Sequence, residues 1–228
     1  MNEPLVDSKF DIVYEDDFCI CANKSGNIPV HEGGLYKKNC LTALLEKKLG
    51  YRVFPVYRLD RETSGLVVFA KNREAFKKIK ISEKEYIAVC NGKIDKEIII
   101  DKPIGEKKGD FIDWKKCIVE HGKNAKTKII PIKNFKDYSV VRIIPYTGRQ
   151  HQIRVHLSYI GHHILGDKVY GESDKKFKDY LEGKFDDKIK RQMLHLRKIK
   201  LNSQLIEAKL PSDINSLIRI KTCVGVFQ

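Results

Sequence analysis

The chain breaks into many short β-branched, apolar segments punctuated by turn signals, and few long amphipathic helices lie between them. That pattern constrains the fold more than any other feature, because strands joined by hairpins make antiparallel sheets, whereas parallel sheets need regular helical crossovers. Strands are predicted at Phe10–Tyr14 and Phe18–Ala22 around the acidic turn Glu15-Asp16-Asp17, then at Val53–Leu59 and Leu66–Ala70, the last apolar enough to be buried on both faces. Tyr86–Cys90, Asn91-Gly92 and Lys93–Ile100 read as a hairpin, since Asn-Gly tolerates the positive φ of a tight turn. Further strands are predicted at Phe111–Val119, Lys126–Ile132, Tyr138–Pro145, Met193–Leu201 and Leu205–Leu210. Helices are predicted from an Asn39 cap through Leu41, Leu44, Leu45 and Leu49 to Gly50, and from an Asn72 cap to Lys80 with Ala75, Phe76 and Ile79 inward. A third covers Gln150–Ile160, capped by Thr147, and a short one opens at Pro211-Ser212-Asp213. The polar stretch 174–191 is expected to be an exposed excursion. The fold class is therefore α+β with a mixed, mainly antiparallel sheet and flanking helices, and residues 1–228 are read as a single domain, large enough to bury a core without disulfides or metal.

Composition narrows the function classes. The 228 residues hold 44 basic and 30 acidic side chains, a net charge of +14. The charge is uneven: residues 1–20 carry a net −5, and residues 102–136, with ten lysines, a net +6. Such a surplus attracts polyanions, which makes nucleic acid the first partner to consider. The same surplus, 34 Lys against 10 Arg, also serves solubility. No apolar run approaches the ~20 residues that cross a bilayer, and Met1–Asp11 is acidic rather than signal-like. The six cysteines then read as reduced thiols of a cytoplasmic protein.

Familiar catalytic signatures are missing. Neither a phosphate-binding P-loop nor a dinucleotide glycine motif is present, and His31-Glu32 lacks the second histidine of a zincin helix. Ser64 lacks the glycines of a nucleophile elbow. Cys19 and Cys21 have no second pair at zinc-finger spacing. His151 and His156, five apart, converge on neither a helix nor a strand, so no metal site is expected. Two polar clusters stand out instead. In Arg58-Leu59-Asp60-Arg61-Glu62-Thr63-Ser64-Gly65 a carboxylate leaves a strand between two cations, which favour its charged form. It can serve as nucleophile, electrostatic stabiliser or half of an ion pair. In Thr147-Gly148-Arg149-Gln150-His151-Gln152-Ile153-Arg154 polar groups crowd a helix start, a setting suited to a phosphate or a carboxylate. Gln150 and Arg154 would share a helix face, and His151 would lie close to Arg154.

Taken together the segments resemble the RluA-like family of RNA pseudouridine synthases, in order and over nearly the whole chain. Tyr14-Glu15-Asp16-Asp17, Asn23-Lys24-x-Gly26 and Val30-His31 are similar to its opening motif. Arg58-Leu59-Asp60-x-x-Thr63-Ser64-Gly65-Leu66 with Ala70-Lys71 resembles its catalytic motif, and Lys84-Glu85-Tyr86 with Ala88-Val89 its tyrosine motif. Gly122-Lys123-x-Ala125-x-Thr127 resembles a mid-chain signature. Thr147-Gly148-Arg149-x-His151-Gln152-Ile153-Arg154-x-His156-Leu157, Gly161-His162, Ile164-Leu165-Gly166-Asp167 and Tyr170-Gly171 resemble its longest motif. The chain departs from the pattern at Tyr57, where the family usually has His, at Ser25 and at His163.

The resemblance implies the pseudouridine synthase fold and isomerisation of specific uridines in ribosomal or transfer RNA, without cofactor, metal or external energy source. Because the opening motif starts within the first dozen or so residues, no separate N-terminal RNA-binding module is expected. It implies Asp60 as nucleophile, attacking carbon 6 of the base or the anomeric carbon, with Tyr86 stacking on or moving a proton to the flipped-out base and Arg154 pairing with Asp60. Arg58, Thr63, Ser64, Arg149, His151, Gln152 and Leu196 become candidate substrate contacts, with Arg58 filling the space the uridine vacates or holding the flanking phosphate. RNA is the expected partner and a monomer the expected state. The alternative is a non-catalytic RNA-binding protein of the same fold, and a second rival is a carboxylate-dependent hydrolase of small nucleosides.

Overall fold

The structure, a computed structural model, describes residues 3–106, 115–171 and 189–219. Its contacts group the chain into two compact units, Met1–Tyr86 with His195–Lys209, and Ile87–Leu194 with Leu210–Gln228.

The first unit is built around β4 (Ser64–Ala70), all seven residues of which are buried. Its flanks explain this: β2 (Cys19–Lys24) runs antiparallel on one side, pairing Cys19 with Ala70 through Lys24 with Gly65. On the other side β11 (Leu194–Leu201) runs parallel, pairing His195 with Ser64 and Leu196 with Gly65. An interior strand meets apolar layers on both faces, so Leu66–Ala70 can be continuously apolar rather than alternating. β1 (Phe10–Glu15), at the edge beside β2, alternates half-buried and exposed residues as a half-solvated strand should. Two-residue β3 (Phe54–Pro55) pairs with β4, and β12 (Gln204–Glu207) pairs antiparallel with β11. The strand predicted over Val53–Leu59 is thus confined to two residues. The bends beyond Pro55 carry the chain off the ladder toward Asp60.

Helix α1 (Leu41–Leu49) buries Leu41 and Leu45 and ends at Gly50, as its spacing predicts. Its N-cap is Cys40, not Asn39, whose side-chain amide instead donates to Pro4 O. Helix α2 (Arg73–Lys78) is capped by Asn72, whose Oδ1 accepts from Ala75 N at 2.7 Å. It stops two residues short of Lys80 because Ile79 is already extended, leading into the next strand. Phe76, expected inward, is 43% exposed; in so short a helix Ala75 and the departing Ile79 fill the inner face.

Strand β5 (Ile81–Asn91) passes the boundary between the units at Tyr86. In the second unit the strand order is β5, β10 (Tyr138–Pro145), β9 (Lys126–Asn134), β6 (Ile98–Asp101), with β9–β10 and β6–β9 antiparallel. The predicted Asn91-Gly92 hairpin is therefore not formed, since two strands intervene between β5 and β6. Asn91 N donates to His163 O and Gly92 N to Asp137 O, so the turn-forming dipeptide serves a longer loop. β7 (Ile104–Glu106) and β8 (Lys116–Ile118) form a two-stranded sheet. Helix α3 (Gln152–Tyr159) packs on β8, β9 and β10, with Val155 in a cluster with Ile104, Ala125 and Tyr170. Helix α4 (Ser212–Arg219) starts where Pro211-Ser212-Asp213 predicts, and Asp213 grips Arg191 through two bonds of 2.7 and 2.9 Å. The first part of the predicted 111–119 strand and most of the 174–191 stretch lie outside the described residues. The architecture is α+β with a mainly antiparallel, mixed sheet.

Candidate active site

In the first unit the residues from Arg58 to Gly65 form a turn entering β4. Asp60 O accepts from Thr63 N at 3.1 Å, which closes the turn and leaves the Asp60 carboxyl half-buried. Arg58 is exposed, whereas Thr63 and Ser64 are buried. The Ser64 Oγ lies 3.0 Å from His195 Nδ1 on β11. Lys24, only 1% exposed, donates from Nζ to Ser25 O and to Arg61 O, both at 3.1 Å, so a buried ammonium ties the turn to the end of β2. Leu196 is fully buried, its main chain packed against Gly65.

Gly65 has φ +114°, and a Cβ there would sit 2.3 Å from Leu196 O. Both the left-handed backbone and the close β4–β11 approach require glycine. Gly65→Ala is expected to destabilise the fold by roughly 3 kcal/mol through strain and overpacking, read as a lowered urea midpoint.

Tyr86 is buried on β5. Burial first, and then the negative charge of Asp60, push its phenol well above the ordinary tyrosine value. That coupling places carboxylate and phenol in one electrostatic environment, and it keeps Tyr86 protonated, able to donate a hydrogen bond. Tyr57, the departure from the family pattern, spends its hydroxyl on Leu66 O at 2.8 Å, and burial holds its phenol high as well. Lys84 Nζ rests 3.3 Å from the centre of the Tyr57 ring, and burial pushes this ammonium down to about 8. The ring face offsets part of that cost.

In the second unit Arg154, 7% exposed, is held flat. Its Nε and Nη2 donate to the two Asp167 carboxylate oxygens at 2.7 and 2.9 Å, and its guanidinium carbon lies 4.8 Å from the Tyr170 ring centre. Burial alone would raise the Asp167 carboxyl, but Arg154 and the Tyr170 and Val169 N–H groups hold it below the usual carboxylate value. Tyr170 OH accepts from Lys116 N at 2.9 Å and meets His151 Nδ1 at 2.8 Å, so Tyr170 gathers His151 and Arg154 about one ring. His151, at φ +56°, is the helix N-cap and makes no side-chain cap bond. Thr147, the predicted cap, instead accepts from Lys126 N and donates to Gln152 Oε1. Gln150 lies before the helix and is exposed, so it does not share a helix face with Arg154.

Gln152 uses its full hydrogen-bonding capacity inside the protein. Its amide nitrogen donates to Lys126 O and Thr127 Oγ1, and its oxygen accepts from Thr147 Oγ1 and Arg149 N. Arg149 is exposed, with Nε bonded to Asn124 O. The chain of bonds continues from Thr127 Oγ1 to His156 Nδ1 at 2.8 Å and from His156 Nε2 to Lys102 O at 3.1 Å. Because Lys102 O can only accept, Nε2 carries the proton and Nδ1 accepts from Thr127. Burial lowers the pKa of His156 below its ordinary 6.5, a fall that the Lys102 bond and Asp101 charge only partly oppose. The unfolded chain thus binds this proton at higher pH than the folded one, and stability is lost as pH falls below about 6.5. Urea midpoints at pH 7.5 and 5.5 should show that slope, and it should be reduced in His156→Gln.

The structure thus joins Asp60 and Tyr86 electrostatically in the first unit, buries Thr63 in the turn and Ser64 and Leu196 at the β4–β11 pairing, and gathers His151 and Arg154 around Tyr170 in the second. Sequence reasoning assigned no role to Lys24, Lys84, Asp167 or Tyr170. The Arg154–Asp167 pair spans a helix and a following loop, and no local spacing signals it.

Residues 18–159, which contain Asp60, Tyr86 and Arg154, match the model of the RNA pseudouridylate synthase family. The chain is 37% identical over 183 residues to the mitochondrial tRNA pseudouridine(32) synthase of Saccharomyces cerevisiae, covering 76% of this chain but 40% of that protein. It is therefore matched to less than half the length of the yeast relative. It is 34% identical over 235 residues to ribosomal large subunit pseudouridine synthase D of Blochmanniella floridana, covering 92% of this chain and 72% of that one. Among solved structures, human RNA pseudouridylate synthase domain containing 1 superposes with a TM-score of 0.74 at 23% identity, over 96% of this chain and 90% of that one, and so shares its fold. With the family model spanning more than half of the chain and the motif order intact, the chain belongs to the RNA pseudouridylate synthase family, of the RluA-like kind.

Proposed function

We propose that the chain isomerises specific uridines in ribosomal or transfer RNA to pseudouridine, with Asp60 as nucleophile. The observation that carries the reading is the Asp60 carboxyl, half-buried at the mouth of a glycine-tight turn, in electrostatic contact with the buried phenol of Tyr86. A uridine held in structured RNA must first be flipped out, at a cost of a few kcal/mol. Exposed Arg58 is the side chain that fills the vacated space or grips the flanking phosphate. The Asp60 carboxylate then adds to carbon 6 of the base or to the anomeric carbon, and the glycosidic bond from the anomeric carbon to N1 breaks. The base turns, C5 bonds to the anomeric carbon, C5 gives up its proton, N1 takes one up, and Asp60 is released. Tyr86, kept neutral, stacks on the ring and donates rather than acting as a resting base.

Arg154 is assigned as the reaction's guanidinium, with Thr63, Ser64, Arg149, His151, Gln152 and Leu196 shaping the substrate site. RNA is the partner, and no cofactor is required because one glycosidic bond is exchanged for another. Among the described residues no helix is long and apolar enough to cross a membrane, and no cluster of His, Cys, Asp and Glu suits a metal. The five described cysteines are free thiols, which supports a reducing compartment such as the cytoplasm.

The test is incubation with bulk tRNA and rRNA followed by pseudouridine-selective carbodiimide labelling and reverse transcription. New stops at a few discrete uridines are expected with the wild type and none with Asp60→Ala. No new stop in either pool would overturn the reading.

A further inference from the structure

Residues 31–39 have no part in the core, yet they are firmly held. Gly33 and Tyr36 exchange two backbone hydrogen bonds of 2.8 and 3.0 Å, making a hairpin with Gly34-Leu35 at its tip. Gly34 has φ +55°, the geometry expected of a first loop residue in a two-residue turn. One leg is fixed where the Glu3 carboxylate accepts from Lys38 N and Asn39 N at 2.8–2.9 Å. The other contact is with the proposed catalytic turn: Arg61 Nη1, one residue after Asp60, donates to Tyr36 OH at 2.6 Å, and its guanidinium lies 5.9 Å from the Tyr36 ring centre. Arg61 O is in turn held by buried Lys24. What this braced hairpin presents is Leu35, 67% exposed, followed by exposed Lys37 and Lys38.

A lone exposed leucine is ordinary on a protein surface. This one sits at the tip of a hairpin bonded to the neighbour of Asp60 and is trailed by two cations. We propose that the hairpin is an RNA-gripping element of the same site: Leu35 wedges against the base stack beside the flipped uridine, and Lys37 and Lys38 pair with the phosphates of that strand. Apolar wedges of this kind stabilise unstacked steps, and lysines on phosphates set the strand's register. The inference rests on the proposed pseudouridine synthase reading and adds a specificity element to it.

The experiment measures RNA binding by fluorescence anisotropy and pseudouridine formation by carbodiimide labelling, using full-length protein and an RNA that the wild type modifies or, failing that, bulk tRNA for the binding arm. Leu35→Ala should weaken both Kd and kcat/KM roughly tenfold, and Leu35→Met should restore most of the loss. The double variant Lys37→Ala/Lys38→Ala should weaken binding and flatten the log–log salt slope by about 1.4. Melting temperatures should not move, since these side chains are exposed. Values of Kd, kcat/KM and salt slope within twofold of wild type in both variants would overturn the hairpin. A wild type that binds RNA in a Leu35-dependent way but forms no pseudouridine would instead overturn the catalytic reading alone.

Discussion

Asp60→Asn is expected to lower pseudouridine formation by on the order of 10⁴-fold or more while leaving the urea midpoint close to wild type. Asparagine is the informative choice because it keeps the shape of the side chain and the Asp60 O to Thr63 N bond that closes the turn. What it removes is the charge and the nucleophilic oxygen pair. An amide at this position cannot form and then release an ester-like bond to the sugar or base. The Tyr86 phenol should also move down, because the charge of Asp60 is one of the two causes that hold it up. Rates measured under single turnover, with saturating protein over RNA, separate this loss from any change in binding. A variant within tenfold of wild type would show that the carboxylate is not the nucleophile.

Asp167→Asn is expected to destabilise the protein by about 3–5 kcal/mol, the range for breaking a buried ion pair by removing one partner. The Arg154 and Asp167 side chains are 8% and 1% exposed, and the two-pronged bond between them offsets part of the cost of burying both charges. Without the carboxylate, Arg154 loses the two charge-assisted bonds from Nε and Nη2, and the face of the Tyr170 ring does not replace them. The complementary double variant Arg154→Met/Asp167→Leu should recover most of the stability, since apolar residues of similar volume often replace a buried pair at little cost. It should nevertheless stay inactive if Arg154 serves the reaction, which separates its catalytic role from its packing role. The pair also predicts an acid limb. Asp167 is held below its ordinary 3.8, so its contribution is present above that value and disappears as pH falls through the lower folded value. Urea titrations of wild type and the double variant between pH 6 and pH 3 should diverge in the wild type's disfavour as acidity increases.

Much of this molecule was legible before its coordinates. β4 was readable because a run such as Leu66–Ala70 has no polar face to show to water, and Ser64–Ala70 is buried throughout. Strand β10 matches its predicted limits, and the Gly50 and Asn72 helix signals hold because capping is local chemistry. The failures share one cause, which is that tertiary pairing overrides local preference. Asn91-Gly92 is an excellent hairpin turn, yet β5 and β6 find other partners, and the dipeptide bonds to Asp137 and His163 instead. Thr147 has the right chemistry for a cap but answers Lys126 and Gln152. Of the candidate residues, those around Asp60 in one unit and around Arg154 in the other were visible as dense polar clusters. Their supports were not, because the partners lie far off in sequence: Lys24 is 37 residues from Arg61, and His195 is 131 from Ser64.

The central claim, that a carboxylate at Asp60 exchanges the glycosidic bond of a uridine in RNA, is tested most directly by tritium release from RNA labelled at C5 of uridine. The C5 hydrogen leaves only when that carbon becomes bonded to the sugar. The account predicts release by the wild type on polymeric RNA, none on free uridine, and none by Asp60→Ala on either. Release by the wild type no greater than by Asp60→Ala would contradict it.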